Sequence, residues 1–356
     1  MKKFLSLLLV LGLSATLLAG CGGSKKEEAP SEKPSTETSQ ADGYDTVNII
    51  AAHGATETTS MHQSWLKFEE LVEERSGGAV TVDLYPNQQL GGDREFTEAS
   101  TQGNVTMGSP SPAAVAALMP SLNAFETPFL FSDYETAYKA MDSDAGKALL
   151  DSMSSAGLQG LGYYENGFRN LTCNKEVNTL ADLKGMKIRT MENEVHLAIW
   201  TALGANPSPL AFGELYTALQ QKAFDAQENP LEQIYNNKLH EVQSHVYLTQ
   251  HVYTPYIIFI NKAVWDGLNA KTQELIQSCV DESVAYNREL CAVNNQKCIE
   301  GINNSGKSKV YEVNEALHGE MVQACTDAGI YDLVIEKAGG TYAQDFWAAA
   351  GFNYQK

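Results

Sequence analysis

The sequence predicts an α/β fold. Segments that alternate apolar and polar residues, as strands do, are followed repeatedly by segments in which apolar residues recur at helical spacing. The 356 residues suit two domains, and 43% hydrophobic with 19% charged residues fit a chain that forms cores. No G-x-x-x-x-G-K-[ST], G-x-G-x-x-G or G-x-S-x-G motif occurs, so neither a nucleotide nor a serine nucleophile is indicated.

The N-terminal residues predict export. Lys2 and Lys3 precede an apolar run that ends at Leu18, which is too short to span a membrane and is typical of a signal peptide over residues 1–20. Leu18-Ala19-Gly20-Cys21 resembles the lipobox at which bacterial lipoproteins are acylated and cut. We therefore expect acyl chains on Cys21 to anchor the chain to a membrane. The alternative is an ordinary signal peptide followed by a chance cysteine.

Residues 21–43 predict a flexible tether, because after the cysteine they carry no aromatic or large aliphatic side chain. The formal charge of the chain is −19, from 44 acidic and 25 basic residues. So acidic a chain is not expected to bind nucleic acid or anionic lipid. An anionic ligand would need a local attractive site. An exported α/β chain with two lobes suggests the capture of a small ligand between them.

The predicted elements begin with a strand at 46–53. Apolar residues at helical spacing between Met61 and Val72, closed by Gly77, predict a helix. The alternating strand 79–85 ends at Pro86. The other elements expected in this half are a helix at 93–102, a strand at 104–108, a helix at 133–156, and strands at 158–164 and 168–172.

In the second half, Thr179 and Asp182 form a capping-box pattern that begins a short helix. The apolar run 255–261 predicts a buried strand, and 271–304 predicts one long helix. The remaining expected elements are strands at 186–190, 224–227 and 310–313, and helices at 193–203, 213–222, 230–239 and 315–328.

Five cysteines remain after Cys21. Cys291 and Cys298 would lie about 10 Å apart along the long helix, which is too far for a disulfide, and no C-x-x-C occurs. We interpret these cysteines as small buried hydrophobic residues rather than a disulfide framework or a metal site.

Arginine is rare, with five residues against 20 lysines. Arg169 and Arg189 lie within or at the end of predicted strands, where α/β folds place their ligands. A planar guanidinium suits a carboxylate, because it can donate two parallel hydrogen bonds. Pairing of each arginine with an internal Asp or Glu is equally consistent with the sequence.

Five sequence blocks follow one another along the chain: GGAVTVDLYPNQQLGGDREFTEASTQG, NGFRNLT, ADLKGMKIRT, LGANPSPLAFGELYTALQ and FDAQENPLEQIYNNKLHEVQ. Together they resemble successive blocks of the DctP-type solute receptors of TRAP transporters. The resemblance covers residues 47 to 262, and it is specific because the blocks stand in the order found in the family.

The resemblance implies a two-lobed, periplasmic-binding-protein-like fold of type II, with hinge strands and a long helix spanning both lobes. Residues 44–166 with 255–294 would form the first lobe, and 167–254 with 295–356 the second. It implies an extracytoplasmic receptor, not an enzyme, that uses no cofactor or metal. The ligand would be an organic acid, either a sugar acid such as a uronate or aldonate or a C4-dicarboxylate, delivered to small and large TRAP membrane subunits. We expect a monomer.

The resemblance also implies site residues. The arginine of the family's K-[IL]-R motif, which forms a paired salt bridge with the substrate carboxylate, corresponds to Arg189. The arginine of the G-x-R turn, which also reaches the carboxylate, corresponds to Arg169. The asparagine of the Q-E-N-P motif corresponds to Asn229. The aromatic residue of the P-x-x-F-x-E-[LV]-Y block, which packs against the ligand, corresponds to Phe212.

We expect ligand selectivity to come from the other lobe and the flanks. The candidates are His53, Glu57, Asp93, Arg94, Ser109, Ser111 and Glu165. Each of them could instead serve as a cap, a turn or a solvated residue. Glu165 would repel a second carboxylate but could bind hydroxyls, which favours a sugar acid. A dicarboxylate would remain compatible through Arg94.

Two other functions stay open. An enzyme acting on acidic sugars could use a carboxylate pair such as Asp93 and Glu165, although no nucleophile and base stand together in the sequence. A metal-binding lipoprotein could use His240, His245 and His251. Their spacings of five and six residues do not align them on one helix face, which disfavours zinc.

Overall fold

Two β-sheets organise the chain, and each forms the centre of one lobe. The computed structural model describes residues 43–354. The predicted signal peptide, Cys21 and the tether as far as residue 42 lie outside the described residues. Strands and helices alternate through most of the described chain, and the predicted α/β class with two lobes is confirmed.

The first sheet has five strands in the order β2-β1-β3-β10-β4, and the second has six in the order β11-β9-β5-β8-β6-β7. Their bounds are β1 Val47–Ala52, β2 Val80–Tyr85, β3 Met107–Gly108, β4 Leu158–Phe168, β5 Asn170–Cys173, β6 Lys187–Thr190, β7 Asn206–Pro209, β8 Ala226–Asn229, β9 His245–Leu248, β10 Tyr253–Asn261 and β11 Lys309–Glu312.

The α-helices are α1 Ser60–Ser76, α2 Asp93–Thr101, α3 Pro112–Val115, α4 Tyr134–Met141, α5 Asp144–Ser152, α6 Glu194–Ala202, α7 Leu215–Gln220, α8 Leu231–Asn236, α9 Lys262–Gly267, α10 Ala270–Asn304, α11 Glu315–Asp327, α12 Ile330–Ala338 and α13 Tyr342–Ala349. Short 3-10 helices include Pro120–Glu126 and Leu180–Leu183. None of the helices within residues 43–354 has the length and apolar character that a membrane crossing requires.

Two crossing strands join the lobes. The chain passes from β4 in the first sheet through Arg169 into β5 of the second, and it returns from β9 into β10. β4 and β10 are antiparallel partners in the first sheet, and the Arg169 amide donates to the Val252 carbonyl at 2.8 Å where the chain leaves it. The hinge therefore consists of two hydrogen-bonded segments lying side by side.

Helix α10 is the third connection. Its 35 residues extend about 50 Å at 1.5 Å per residue. Cys279 and Val280 belong to the core of the first lobe together with Trp65 of α1. Cys298 and Ile302, within the last two turns at its other end, belong to the core under α7 and α8 of the second lobe. The predicted long helix spanning both lobes is present, and the five described cysteines are all buried and free.

The C-terminal helices touch parts of both lobes. The Phe346 ring of α13 packs against Phe125 with centroids 4.8 Å apart, and the Trp347 indole donates to the Thr127 hydroxyl at 2.7 Å. Helix α12 packs against α6 of the second lobe as well. The predicted lobe boundaries place residues 295–356 entirely in the second lobe. The contacts of α13 with Phe125 and Thr127 do not follow that division, and the boundaries remain a prediction.

Several elements differ from those expected. The helix expected at 133–156 is broken after Met141, because Ser143 caps a new helix and Gly146 packs directly on the Met141 carbonyl. The strand β7, which contains two prolines, was not expected. It is tolerated because it pairs only with β6, at the edge of the sheet. β9, α12 and α13 were also not expected.

Candidate ligand-binding site

A cavity of about 280 Å³ lies between the two lobes, close to the lower end of the roughly 300–1,000 Å³ usual for small-molecule sites. Its walls come from the carboxyl ends of strands and the loops that follow them, where open α/β sheets bind ligands. The first lobe contributes Gln88, Asp93, Arg94, Ser111, Asn166 and Tyr256. The second contributes Arg169, Arg189, Phe212, Asn229 and Gln233.

Arg189 ends inside this cavity with an unused donor. It lies in β6 and is 2% exposed. Its Nε and Nη2 both donate to the Leu210 carbonyl, at 2.8 and 2.5 Å, and its guanidinium carbon lies 5.9 Å from the centre of the Phe212 ring. Nη1 is buried and has no hydrogen-bond partner among residues 43–354. Burial lowers the pKa of Arg189 to about 10, so the side chain is charged and incompletely compensated at neutral pH.

Arg169 has a protein carboxylate as its partner. Its Nε and Nη2 donate to the carboxylate of Glu228 in β8, and Nη2 also donates to the Glu228 carbonyl at 2.7 Å. Nη2 lies 3.2 Å from the Asn229 Oδ1 as well, and the Asn229 amide donates to Gln227 at 2.5 Å. The internal pairing that the sequence left open thus occurs for Arg169 and not for Arg189. Asn229 holds the Arg169 guanidinium in place at the cavity wall.

A buried polar network lies behind the two arginines. His251 Nε2 lies 3.1 Å from the Glu228 carboxylate, and His196 Nε2 lies 2.6 Å from Glu126. Burial opposes ionisation of Glu228, but the charge of Arg169 and the two histidines hold its pKa well below the usual value. Burial likewise opposes the charge on His196, but hydrogen bonds to Glu126 and Glu228 raise the pKa of that histidine. This network fixes Arg169 from the side away from the cavity.

The opposite wall carries a carboxyl group. Asp93 stands at the first position of α2, and its Oδ2 accepts from the Ser111 amide at 2.8 Å and from the Ser111 hydroxyl at 3.0 Å. Burial raises the pKa of Asp93 to about 6. Arg94 lies at the rim, more than half exposed, and its Nε donates to Glu98 at 2.9 Å. Asp93 therefore faces the cavity, whereas the charge of Arg94 is shared with a neighbour and with solvent.

Four of the candidate site residues do not line the cavity. The Glu165 carboxyl accepts from the Tyr138 hydroxyl, and burial followed by the charge of Glu232 raises the pKa of Glu165 to about 8. Ser109 accepts from the Trp65 indole at 2.8 Å. His53 is fully buried against His62, with 3.1 Å between ring nitrogens, and burial lowers its pKa to about 3. Glu57 does not line the cavity either, whereas Ser111 does.

Other cavity residues had no signal strong enough to single them out in the sequence. In the sequence nothing distinguishes these residues from other polar or aromatic ones, and only the tertiary structure places them in one cavity: Asn166, Tyr256, Gln88 and Gln233. Gln88 meets Gly213 of the other lobe so closely that a side chain at Gly213 would lie 3.0 Å from its amide oxygen. The glycine therefore allows the two lobes to approach at this point.

The described residues do not form the two alternative sites considered from the sequence, a catalytic carboxylate pair and a histidine metal site. Glu165 lies outside the cavity that Asp93 faces, so these residues do not form a carboxylate pair around a common space. His240 stacks on Tyr235, and His245 stacks on Tyr311. His251 bonds to Glu228. Within residues 43–354 no group of three or more His, Cys, Asp or Glu side chains is arranged to hold a metal ion.

Two α/β lobes joined by paired crossing strands and a spanning helix, with a cavity between them that is lined by two buried arginines, define a solute-binding protein of the periplasmic type. The model of the DctP family, described as bacterial extracellular solute-binding protein family 7, matches residues 51–329. The chain belongs to this family, the receptors of TRAP transporters.

Known proteins agree with this assignment. The chain is 38% identical over 251 residues to the 2,3-diketo-L-gulonate-binding periplasmic protein YiaO of Escherichia coli, covering 70% of this chain and 76% of that one. It is similar to the sugar acid binding protein DctPAm of Advenella mimigardefordensis in complex with galactonate, at 31% identity and TM-score 0.82, covering 86% and 98% of the two chains. It is also similar to a TRAP periplasmic solute-binding protein of Shewanella oneidensis with bound succinate, at 33% identity and TM-score 0.81, covering 85% and 99%.

Proposed function

We propose that this protein captures a hydroxylated monocarboxylate, a sugar acid of the uronate or aldonate class, between its lobes. It then delivers this ligand to the small and large membrane subunits of a TRAP transporter. The observation that carries the proposal is the buried, unpartnered Nη1 of Arg189 at the cavity wall. A ligand carboxylate would supply both the missing hydrogen-bond acceptor and the missing negative charge.

The charges of the cavity support a single carboxylate. Arg169 is offset by Glu228, which leaves Arg189 as the cation without a salt-bridge partner among the described cavity residues. The opposite wall offers the Asp93 carboxyl and the neutral groups of Asn166 and Tyr256. A second carboxylate there would meet Asp93, whereas hydroxyl groups could donate to it. The relatives that bind diketogulonate and galactonate support the sugar acid, and the succinate-bound neighbour represents the alternative.

The remaining parts of the proposal concern how the receptor works. We propose that acylated Cys21 anchors it outside the cytoplasm and that it acts as a monomer. It releases the acid unchanged, as expected of a member of a family of solute-binding proteins. The predicted lobe boundaries at 166/167, 254/255 and 294/295 belong to the same proposal.

A thermal-shift screen tests the ligand class. A ligand present at a hundredfold excess over Kd stabilises by about 2.7 kcal/mol, which corresponds to a Tm rise of about 5 °C or more for a chain of this size. Aldonates and uronates should give this rise, succinate a smaller one, and the neutral sugars glucose and galactose none. Equal shifts by a neutral sugar would overturn the carboxylate site. A larger shift by succinate would overturn the sugar acid and leave the carboxylate site standing.

A further inference from the structure

Asn166 lines the cavity from the first lobe, and its side chain is buried with one polar atom unpartnered. Among residues 43–354 it is the one first-lobe residue that combines these properties. It is 7% exposed, and its Oδ1 has no hydrogen-bond partner there. Leaving such a group unpaired in a buried place costs about 1–3 kcal/mol. A buried amide that faces a ligand cavity therefore points to a ligand group as its partner.

The backbone explains why the side chain faces the cavity. In the pairing of β4 with β10, Thr254 lies opposite Gly167 and Pro255 lies opposite Glu165, so Asn166 is an extra residue without a partner. This is a β-bulge, a feature that redirects a side chain from the side that strand alternation would give it. Two residues make the bulge favourable. Pro255 has no amide hydrogen to leave unpaired, and Gly167 adopts a φ of 108°, which other residues avoid.

We propose that Asn166 hydrogen-bonds to a hydroxyl group of the ligand and thereby determines specificity for a hydroxylated acid. This inference rests on the proposed function of the same cavity. A neutral amide can donate to or accept from a hydroxyl, but it cannot neutralise a second carboxylate. Asn166 lies three residues before Arg169 on the crossing segment. The same part of the hinge therefore positions both the residue that binds the hydroxyl group and one of the arginines of the cavity.

The test combines a variant with ligand analogues. Asn166→Leu keeps the approximate shape and removes the hydrogen bond. The Kd for the tightest-binding aldonate or uronate should rise about tenfold to a hundredfold. Monodeoxy analogues of that acid are then measured by calorimetry with both proteins. For the analogue that lacks the recognised hydroxyl, wild type and Asn166→Leu should bind within about twofold of each other, because the interaction is already absent.

Stability without ligand separates this role from a structural one. Asn166→Leu should melt at or above the wild-type temperature, since it removes an unpaired polar group. Asn170→Leu is the matched control. Asn170 is also buried, but its amide donates to the Phe168 carbonyl at 2.9 Å and its oxygen accepts from the Gln250 amide at 3.3 Å. That variant should therefore lower the melting temperature or fail to fold. Asn166→Ser gives the same affinity comparison if the leucine variant does not fold.

The outcomes are distinct. Binding of the parent acid within twofold of wild type by the folded Asn166 variants would overturn the assignment. An equal loss for every deoxy analogue, together with a lower melting temperature, would show a structural role and also overturn it. If the wild-type protein binds only acids without hydroxyls, the role of Asn166 and the sugar-acid preference both fail, and carboxylate capture stands. If it binds no acid at all, the proposed function itself fails.

Discussion

Replacing Arg189 tests the central element of the site. One observation on the structure and one general magnitude give the size of the effect. Burial lowers the pKa of Arg189 from 12.5 to about 10, and at 1.36 kcal/mol per unit the charged form is disfavoured by about 3 kcal/mol in the protein without ligand. Removal of one partner of a buried charge pair in an interface costs about 2–5 kcal/mol. Arg189→Ala should therefore raise Kd roughly thirtyfold to several thousandfold.

Two further variants refine the Arg189 experiment. Arg189→Lys should bind between wild type and Arg189→Ala, because a point charge remains but the second donor of the guanidinium is lost. Arg75→Ala removes the same formal charge at a surface site, where Arg75 pairs with Glu282 away from the cavity. It should leave Kd almost unchanged, which excludes an effect of the overall charge of −19.

Isothermal titration with the acid identified in the thermal screen measures these affinities, and circular dichroism checks folding. We expect all three variants to fold, because neither Arg189 at the cavity wall nor the surface residue Arg75 belongs to a hydrophobic core. A folded Arg189→Ala protein that binds within twofold of wild type would refute the assignment. Arg169, whose Nη1 makes none of the bonds to Glu228, would then be the next residue to test.

Four further results follow from the structure. Because burial raises the pKa of Asp93 to about 6, its carboxylate forms as pH rises from 5 to 7. The affinity for a hydroxylated acid relative to succinate should therefore increase up to about tenfold in calorimetric titrations over that range. Asp93→Asn should abolish this pH dependence, and a constant affinity ratio in wild type would contradict the prediction. The pKa of Glu165, raised to about 8, lies above its unfolded value, so wild type binds more protons when folded and loses stability as pH rises from 5 to 8; Glu165→Gln should match wild type in melts at pH 5 and be more stable, on the order of 2 kcal/mol, at pH 8. The Glu232 carboxylate of the second lobe accepts hydrogen bonds from the amide and the hydroxyl of Ser60, at the start of α1 in the first lobe. Glu232→Ala should therefore speed ligand dissociation several-fold in stopped-flow traces. An unchanged dissociation rate would show that this contact does not hold the lobes together. Cys21→Ala should move the protein to the soluble fraction, whereas retention on membranes after a carbonate wash would refute lipid anchoring.

The sequence alone was sufficient for the fold class and most elements. The alternating segments at β1 and β2, the helical spacing of α1 with Gly77 as its cap, and the long apolar pattern of α10 depend on residues close together in the chain. The capping box at Thr179 was predicted for the same reason, because its two partners lie three residues apart. Family resemblance added Asn229 and Phe212, both of which line the cavity, and gave Arg189 its expected role.

Tertiary structure decided which charged groups are free. Arg169 and Arg189 look alike in the sequence, each within or at the end of a predicted strand. Glu228 lies 59 residues after Arg169 and becomes its partner only because β5 and β8 pair side by side. Arg189 instead donates to the carbonyl oxygen of Leu210, the residue that follows β7, and to no carboxylate. Electrostatic pairing depends on distances in space, which residue type and spacing do not contain.

The sequence pointed to Glu165 as a cavity residue, but its neighbour Asn166 lines the cavity instead. This difference also arises from contacts between segments that are distant in the chain. Strand alternation predicts sides correctly only while the register is regular. Here a bulge opposite Pro255, almost ninety residues further along the chain, shifts the register by one and places the amide in the cavity and the carboxyl against Tyr138. The sequence by itself determined the α/β lobes, the spanning helix and the arginine that remains uncompensated as a candidate. Only the pairing of distant strands decided which neighbours face the ligand, because that pairing sets both the register and the charges brought into contact.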